Sequence, residues 1–333
     1  MTDSPNIVAS PAKPTNKGRV IGVMSDNPPS VPPVDKGFVK YGEYYDNIRT
    51  ILQSRKFYPT MVTGLSGNGK TKTIEQVCAE LNRPLCRVNI TVETDEDDLF
   101  GGLRLINGET VFNYGPVAQA MHDGAVLLLD ELDLASDKIM CMQPVLEGNP
   151  GFIKRIGERI MPKDGFTIIA TANTKGQGNE TGKFVGTRVM NEAFLDRFPF
   201  MVEHDYPTAE IEKQILEVRM TNNGLTANNF PECLVKWAAQ NRIDYKNGNT
   251  EDVITTRRLI QIIDAYTIFN ARKDARIFAV MKCLCRFNVE AQSVLLKGYK
   301  AIDTKALTDD EQKKIEDMKK ISSRLVDWNP VST

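Results

Sequence analysis

The stretch VTGLSGNGKTKTIEQV, residues 62–77, joins an apolar run to a helical pattern through a turn rich in glycine. The turn follows the spacing G-x-x-x-x-G-K-T, with its fixed positions at Gly64, Gly69, Lys70 and Thr71. Glycines allow backbone N–H groups to wrap around phosphates, and the positive end of the next helix dipole also favours an anion. The spacing therefore predicts a phosphate-binding loop between a strand and a helix.

The predicted nucleotide-binding residues lie in this loop and the first turn of its helix: Gly64, Ser66, Gly67, Asn68, Gly69, Lys70, Thr71 and Lys72. The Lys70 ammonium can reach the β- and γ-phosphates of ATP, and the Thr71 hydroxyl can ligate Mg²⁺. The alternative is a strand–turn–helix that needs glycines only for its shape. The complete pattern in this context favours nucleotide binding, with ATP and Mg²⁺ as the implied cofactors.

A second apolar strand, AVLLLDELD at residues 125–133, ends in carboxylates. Asp130 is predicted to hold Mg²⁺ together with Thr71, and Glu131 to polarise the attacking water as a general base. Asp133 is interpreted as a helix-start or surface acid. The alternative for the Asp-Glu pair is a solvated strand end, which the upstream phosphate-binding loop makes the weaker interpretation.

A third buried strand, TIIATANT at residues 167–174, ends near Asn173. We expect this amide to lie between the strand of the phosphate-binding loop and the acidic strand. It could there orient the water or sense the γ-phosphate. An asparagine that merely serves a turn is the alternative.

The composition is that of an ordinary globular protein, with 41% hydrophobic and 26% charged residues. The net charge of −1 gives no general attraction to nucleic acid or membranes. No apolar run approaches the roughly 20 residues of a membrane span, and the N-terminus lacks the apolar core of a signal peptide. A cytoplasmic protein is therefore expected. The six cysteines are interpreted as inert thiols, and two histidines make a zinc site difficult to build.

The pattern along the 333 residues predicts four segments. Residues 1–36 contain seven prolines and read as an extended arm, either a tail or a segment docked on a neighbouring subunit. Residues 37–206 alternate strands with helices, including one predicted over 136–148, which indicates an α/β domain with a parallel sheet. Residues 207–303 are helical almost throughout, and 304–333 resemble an added helical tail.

The phosphate-binding loop, the acidic pair, the polar strand end and the helical C-terminal part together resemble the AAA+ ATPases. This resemblance implies a parallel five-stranded sheet of order 5-1-4-3-2, followed by a smaller helical lid domain. It also implies a homo-oligomeric ring, expected to be a hexamer, with nucleotide bound between subunits.

Two predicted β-hairpins narrow the resemblance. LRLI and TVFNY flank Asn107-Gly108, a pair typical of tight hairpin turns, and FIKRIGERIMPKDG at 152–165 forms the second. Surface excursions without a special role are the alternative for each. Hairpins at these places are similar to the inserts of the MoxR, magnesium-chelatase and dynein-like branch.

Three stretches resemble the family of ATPase subunits of aerobic cobaltochelatases, CobS: IEQVCAELNRPLCRVNI, residues 171–198, and TTRRLIQIIDA. The resemblance implies that Arg257 is the nucleotide-facing arginine of the lid, with its neighbour Arg258 as the alternative. It also implies that Arg197 is an arginine finger for the next subunit. Arg188 is the reserve candidate, and an ion pair with Asp196 is the structural alternative.

Three functions follow from these features. The first is a ring ATPase of a cobaltochelatase-like complex, coupled to a partner with an integrin-type metal-binding (VWA) domain. The second is a MoxR-like protein remodeller unrelated to tetrapyrroles. The third is a DNA-directed motor, supported locally only by Lys154, Arg155 and Arg159. The near-neutral charge opposes it, so the composition does not favour nucleic acid as a partner. Any chelation chemistry would lie in a partner.

Overall fold

The computed structural model describes residues 22–24, 28–176, 187, 189–226 and 228–303. In its first part, strands and helices alternate: β1 (Gly22–Val23), α1 (Gly42–Ser54), β2 (Thr60–Thr63), α2 (Lys70–Glu80), β3 (Leu85–Asn89), α3 (Glu96–Phe100), β4 (Gly101–Ile106), β5 (Glu109–Tyr114), α4 (Pro116–Asp123), β6 (Val126–Asp130), 3₁₀ helices Leu132–Leu134 and Asp137–Met142, α5 (Gln143–Leu146), β7 (Gly151–Ile153), β8 (Glu158–Ile160), β9 (Thr167–Ala172), α6 (Glu192–Leu195) and β10 (Phe200–Glu203). The second part is helical: α7 (Ala209–Asn222), α8 (Phe230–Lys246), α9 (Thr256–Ile268), α10 (Ala275–Leu284) and α11 (Val289–Ile302).

The central sheet has five parallel strands in the order β10-β2-β9-β6-β3. Numbered along the chain, these core strands follow the order 5-1-4-3-2, so the predicted topology is confirmed. β9 lies between β2 and β6, as expected from the sequence. Because the strands are parallel, the phosphate-binding loop, the acidic pair and Asn173 all follow strand ends at one edge of the sheet.

Successive side chains of the central strands enter different cores, one on each face of the sheet. In β6, Leu127 and Leu129 join the larger core, which contains α4. Val126 and Leu128 of the same strand join the core that α1 and α2 cover. This alternation follows from the period of two in a strand, and it explains why β6 and β9 are buried along their whole length.

Both predicted hairpins are present. β4 and β5 pair antiparallel, and their turn places Asn107 and Gly108 at φ angles of 53° and 82°. Two successive positive φ values match the twist of a two-residue hairpin turn. β7 and β8 form the second hairpin, which precedes β9. The first hairpin lies between α3 and α4, and β1 adds to it by pairing parallel to β5.

The helix predicted over residues 136–148 differs from the prediction. The chain forms a 3₁₀ helix over Asp137–Met142, and α-helical geometry is confined to Gln143–Leu146. A continuous α-helix would require a bond from the backbone N–H of residue 144 to the carbonyl of Met140. Pro144 has no N–H, and its ring would clash with that carbonyl.

The described part of the proline-rich arm lies against its own chain. Ser30 and Leu85 exchange backbone hydrogen bonds of 3.4 and 2.9 Å. Asp35 forms an ion pair with Lys72 at 3.0 Å. Residues 1–21 of the predicted arm and the predicted tail at 304–333 are outside the described residues, so docking on a neighbour stays a prediction.

The helical part has a core of its own. Leu216, Phe230, Leu259 and Tyr299 are buried there. The indole N–H of Trp237 donates to the Leu295 carbonyl at 3.0 Å, which ties α8 to α11. Within the described ranges, no helix has the length and apolarity that a membrane crossing requires.

Candidate nucleotide-binding site

The phosphate-binding loop connects β2 to α2. Its glycines adopt positive φ angles, 144° at Gly64, 73° at Gly67 and 101° at Gly69. A Cβ atom at Gly64 would lie 2.1 Å from the His204 carbonyl oxygen, and one at Gly67 would lie 2.9 Å from Thr255. Glycine is therefore needed at these two positions both for the backbone conformation and for the close approach of His204 and Thr255 to the loop.

Lys70 begins α2, and its side chain is folded into the loop. The ammonium donates to the carbonyls of Gly64 at 2.6 Å and Leu65 at 3.0 Å, and to Asn173 Oδ1 at 3.3 Å. Burial lowers the pKa of Lys70 from 10.5 to about 8, against the opposing charges of Asp133 and Asp130. Lys70 thus connects the end of β9 to the phosphate-binding loop, at the place where the phosphates of ATP are expected to bind.

Thr71 and Asp130 lie side by side, as the prediction of a shared Mg²⁺ requires. The Thr71 hydroxyl donates to Asp130 Oδ1 at 2.9 Å, and Thr171 donates to the same oxygen. Arg87 of β3 forms an ion pair with Asp130 Oδ2 at 2.5 Å. A hydroxyl and a carboxylate are the hard oxygen donors that Mg²⁺ prefers, so these residues fit the ion. Arg87 supplies a compensating cation to the buried carboxylate in this structure.

Glu131 has a left-handed backbone, with φ 60° and ψ 44°. This conformation is unusual for a residue other than glycine, and an outlier of this kind is a common feature of active sites. The Glu131 N–H donates to Thr171 Oγ1 at 3.1 Å, and the side chain is exposed. The turn therefore presents the carboxylate to solvent beside the Mg²⁺ donors, where a general base could contact water.

Asp133 supports the segment that carries Asn173. Its Oδ2 accepts from the backbone N–H groups of Asn173 at 2.9 Å and Thr174 at 3.0 Å. The side chain lies in a short 3₁₀ helix and is fully buried, so the surface interpretation of Asp133 is wrong. The end of β9, 40 positions later in the chain, covers Asp133. The local sequence could not indicate this contact. Within the described part of the chain, Asp133 Oδ1 has no hydrogen-bond partner.

The helical C-terminal part approaches the loop through Arg257 of α9. Its backbone N–H donates to the Gly67 carbonyl at 3.1 Å, and its positive charge contributes to the lowered pKa of Lys70. The Arg257 side chain is exposed. Arg258 instead contacts Cys283 and is partly buried, which lowers its pKa. The structure therefore brings Arg257, and not Arg258, close to the predicted phosphate site.

Arg197 lies just after α6, away from this cluster. In the part of the chain that the structure describes, its ion-pair partner is Glu147 and not the neighbouring Asp196. The Nε and Nη2 atoms each lie 2.7 Å from Glu147 Oε1. The alternative that pairs Arg197 with Asp196 is therefore wrong, because the partner is Glu147, 50 positions earlier in the chain. The reserve candidate Arg188 is outside the described residues.

Residues 59–198 match the family profile described as "AAA domain (dynein-related subfamily)". An uncharacterized protein of Staphylococcus haemolyticus is 30% identical over 219 residues, which cover 62% of this chain and 78% of that protein. The chain belongs to the AAA family. Its fold and its phosphate-binding loop agree with this membership.

Two further relatives are proteins with names. The aerobic cobaltochelatase subunit CobS of Sinorhizobium is 31% identical over 218 residues, which cover 63% of this chain and 65% of that subunit. Midasin of Giardia intestinalis is 30% identical over 215 residues, 62% of this chain but 4% of midasin. The chain thus spans less than two thirds of the length of each of these two relatives.

The AAA match covers the phosphate-binding loop, Asp130, Glu131, Asn173 and Arg197, whereas Arg257 lies beyond it. The remaining predicted binding residues have structural contacts. Asn68 is buried and donates to the His204 carbonyl at 2.5 Å, Lys72 pairs with Asp35, and the Ser66 carbonyl accepts from Tyr206 at 3.0 Å. Sequence reasoning did not find Tyr206 or Arg87. An arginine inside the strand PLCRVNI was the available signal for Arg87.

Proposed function

We propose that this chain hydrolyses ATP as a subunit of a homo-oligomeric AAA+ ring, and that the ring remodels a partner complex. The observation that carries the proposal is the convergence near Lys70 of three segments, the phosphate-binding loop after β2 and the ends of β6 and β9. This ammonium contacts Asn173, and the Thr71–Asp130 hydrogen bond of 2.9 Å lies at the same edge of the sheet. Glu131 is exposed there. Hexameric rings are common among AAA+ proteins, which supports the ring.

Each proposed role follows from side-chain chemistry. The loop N–H groups and Lys70 would bind the phosphates, and Glu131 would accept the proton of the attacking water. Asn173 would orient that water. When bound by Thr71 and Asp130, Mg²⁺ supplies positive charge that offsets the charge of the phosphates. Arg257 from the lid and Arg197 from the neighbouring subunit would stabilise negative charge on the transferred group.

The experiment that tests hydrolysis compares Lys70→Ala with Glu131→Gln. We expect Lys70→Ala to lose ATP binding, because the cation of the loop is absent. Glu131→Gln should bind ATP without turning it over, because its amide cannot accept the proton. Binding of a fluorescent ATP analogue and release of phosphate are the two measurements. The surface substitutions Lys138→Ala and Glu93→Gln serve as matched controls, and hydrolysis by Glu131→Gln at the wild-type rate would refute the assignment of the base.

For the task of the motor, we propose metal insertion by a cobaltochelatase-like complex, with a VWA-domain protein as the partner. The identity with the Sinorhizobium subunit supports this proposal. Within the described ranges, no group of three His, Cys, Asp or Glu side chains could hold a metal ion, so the metal-handling part would belong to the partner. The alternative is a MoxR-like remodeller that acts on an unrelated complex in the cytoplasm.

A DNA-directed motor has less support from the contacts of the second hairpin. Lys154 lies 3.5 Å from Glu96, and Arg155 lies 2.6 Å from Asp97. These acids of α3 offset two of the three basic side chains that favoured DNA. Phosphate backbones are bound by basic surfaces, which this pairing weakens.

The partner can be identified with the Glu131→Gln variant, which should hold the ATP-bound assembly. Co-purified proteins are then compared with those retained by Lys70→Ala. A VWA-domain protein retained only by Glu131→Gln would support the chelatase role. A different protein retained in the same selective manner would support the remodeller.

A further inference from the structure

Tyr206 connects the phosphate-binding loop to the lid. It lies between β10 and α7, and its hydroxyl donates to the Ser66 carbonyl at 3.0 Å. Burial raises the pKa of Tyr206 to about 12, so the hydroxyl keeps its proton at neutral pH. The guanidinium carbon of Arg242 lies 4.0 Å from the centre of the Tyr206 ring, in the range of a cation–π contact. The loop is thus linked through one ring to α8.

Arg242 is also the centre of a buried ion pair within the lid. Its Nη1 and Nη2 atoms donate to the two oxygens of Glu212, at 2.9 and 2.8 Å. Glu212 belongs to α7 and is 1% exposed. Thr256 of α9 donates to the same carboxylate at 2.5 Å. Three lid helices therefore meet at one carboxylate, and a bidentate pair of this kind keeps a defined geometry.

Helix α9 also contacts the phosphate-binding loop. Thr256 precedes Arg257, whose N–H donates to the Gly67 carbonyl. Two adjacent carbonyls of the loop, those of Ser66 and Gly67, are therefore held by two different parts of one lid network. A cavity of about 220 Å³ borders this network and is lined in part by Leu65, Tyr206 and Arg242.

We propose that Tyr206 and Arg242 couple the conformation of the phosphate-binding loop to the position of the lid, with Tyr206 as a positioning residue. This inference rests on the proposed nucleotide site. Nucleotide that shifts the Ser66 or Gly67 carbonyl must either break these hydrogen bonds or move the lid. Separating the Glu212–Arg242 pair would leave a buried charge without a partner, so the lid helices move together.

The test uses Tyr206→Phe in the full chain, because this substitution removes the hydroxyl and keeps the ring under Arg242. Hydrogen–deuterium exchange of α8 is measured with and without an ATP analogue. α8 contains none of the proposed nucleotide ligands, so it reports on transmission rather than on direct contact. Tyr58→Phe, at the far end of β2, is the matched control, and thermal unfolding checks that each variant is folded.

We expect nucleotide to slow exchange in α8 by about 5-fold or more in wild-type chain and in Tyr58→Phe, the range of ordinary coupling between sites. In Tyr206→Phe this effect should be lost, while the analogue still protects the loop itself. An undiminished response of α8 in Tyr206→Phe, or no response of α8 in wild-type chain that binds the analogue, would overturn the coupling alone. Wild-type chain that does not bind the analogue would overturn the proposed function and this inference together.

Discussion

The Asp133 carboxylate accepts a 2.9 Å hydrogen bond from the backbone N–H of Asn173, whose side chain in turn accepts from Lys70 at 3.3 Å. A buried acid therefore fixes the backbone of the residue that we propose to orient water. The charge of Asp133 also opposes the loss of the Lys70 proton. These contacts make Asp133 a positioning residue for the two groups, although it is not exposed to the site.

We expect Asp133→Asn to reduce kcat by about 10-fold, because charge-assisted hydrogen bonds contribute about 1.5–3 kcal/mol and the amide retains only part of that. KM for ATP should change little, since the loop itself is intact. Steady-state hydrolysis separates the two parameters. Asp137→Asn, an exposed acid of the next 3₁₀ helix, is the control, and equal kcat values for both variants would contradict the role.

Arg257→Ala should remove the response of the lid to nucleotide, because the charge of this guanidinium acts on Lys70 and the Arg257 backbone contacts the loop at Gly67. Small-angle scattering with and without an ATP analogue measures the response. Arg258→Ala is the matched control, since that side chain contacts Cys283. A normal response in Arg257→Ala together with a lost one in Arg258→Ala would exchange the two roles.

Hydrolysis should require a neighbouring subunit that supplies Arg197. A trans arginine contributes about 10³–10⁵-fold to the rate in related phosphoryl transfer, so Arg197→Ala alone should be nearly inactive. Mixing Arg197→Ala with Lys70→Ala chains should restore part of the activity, because an intact Arg197 can then face an intact Lys70. Arg155→Ala, which removes another paired surface arginine, should hydrolyse ATP normally.

The dependence of activity on concentration provides an independent check of the ring. Activity per wild-type chain should rise as subunits assemble. Constant activity per chain down to monomeric dilution would reject the trans mechanism. If subunits are shown to exchange in the mixture and activity is still not restored, then either Arg197 is not a trans arginine finger or one defective subunit inactivates the ring.

Stability should fall as pH decreases from about 6.5 to about 4 because of His204. Burial lowers the pKa of this imidazole from 6.5 to about 4, and it lies beside Tyr41, Tyr44, Lys70 and Asp205. The unfolded chain therefore binds a proton in this window that the folded chain does not. The contribution of His204 to the free energy of unfolding is complete above pH 6.5 and decreases by about 3 kcal/mol toward pH 4. His204→Gln should flatten this part of the curve of unfolding free energy against pH.

Local patterns were sufficient to predict the phosphate-binding loop, the acidic strand end and both hairpins. Each depends on residues that are close in sequence: glycines before a helix, apolar residues before Asp130, and Asn107-Gly108 between two strands. The order of the strands came from the resemblance to AAA+ ATPases, and the structure confirms it. The α-helix predicted over 136–148 is interrupted for a local reason as well, since Pro144 cannot continue the hydrogen bonding of the helix.

Only the tertiary structure decided which side chains meet across the site. Asp133 is buried because the end of β9 covers it. Arg87 reaches Asp130 because β3 lies beside β6. Arg197 pairs with Glu147, which lies in a connection distant in sequence. The choice between Arg257 and Arg258 depends on which face of α9 packs toward the loop. Sequence determines the chemistry that each segment can offer through its local periodicity and turns. Contacts between segments depend on how the whole chain packs, so the partners of these charges are defined only in the folded protein.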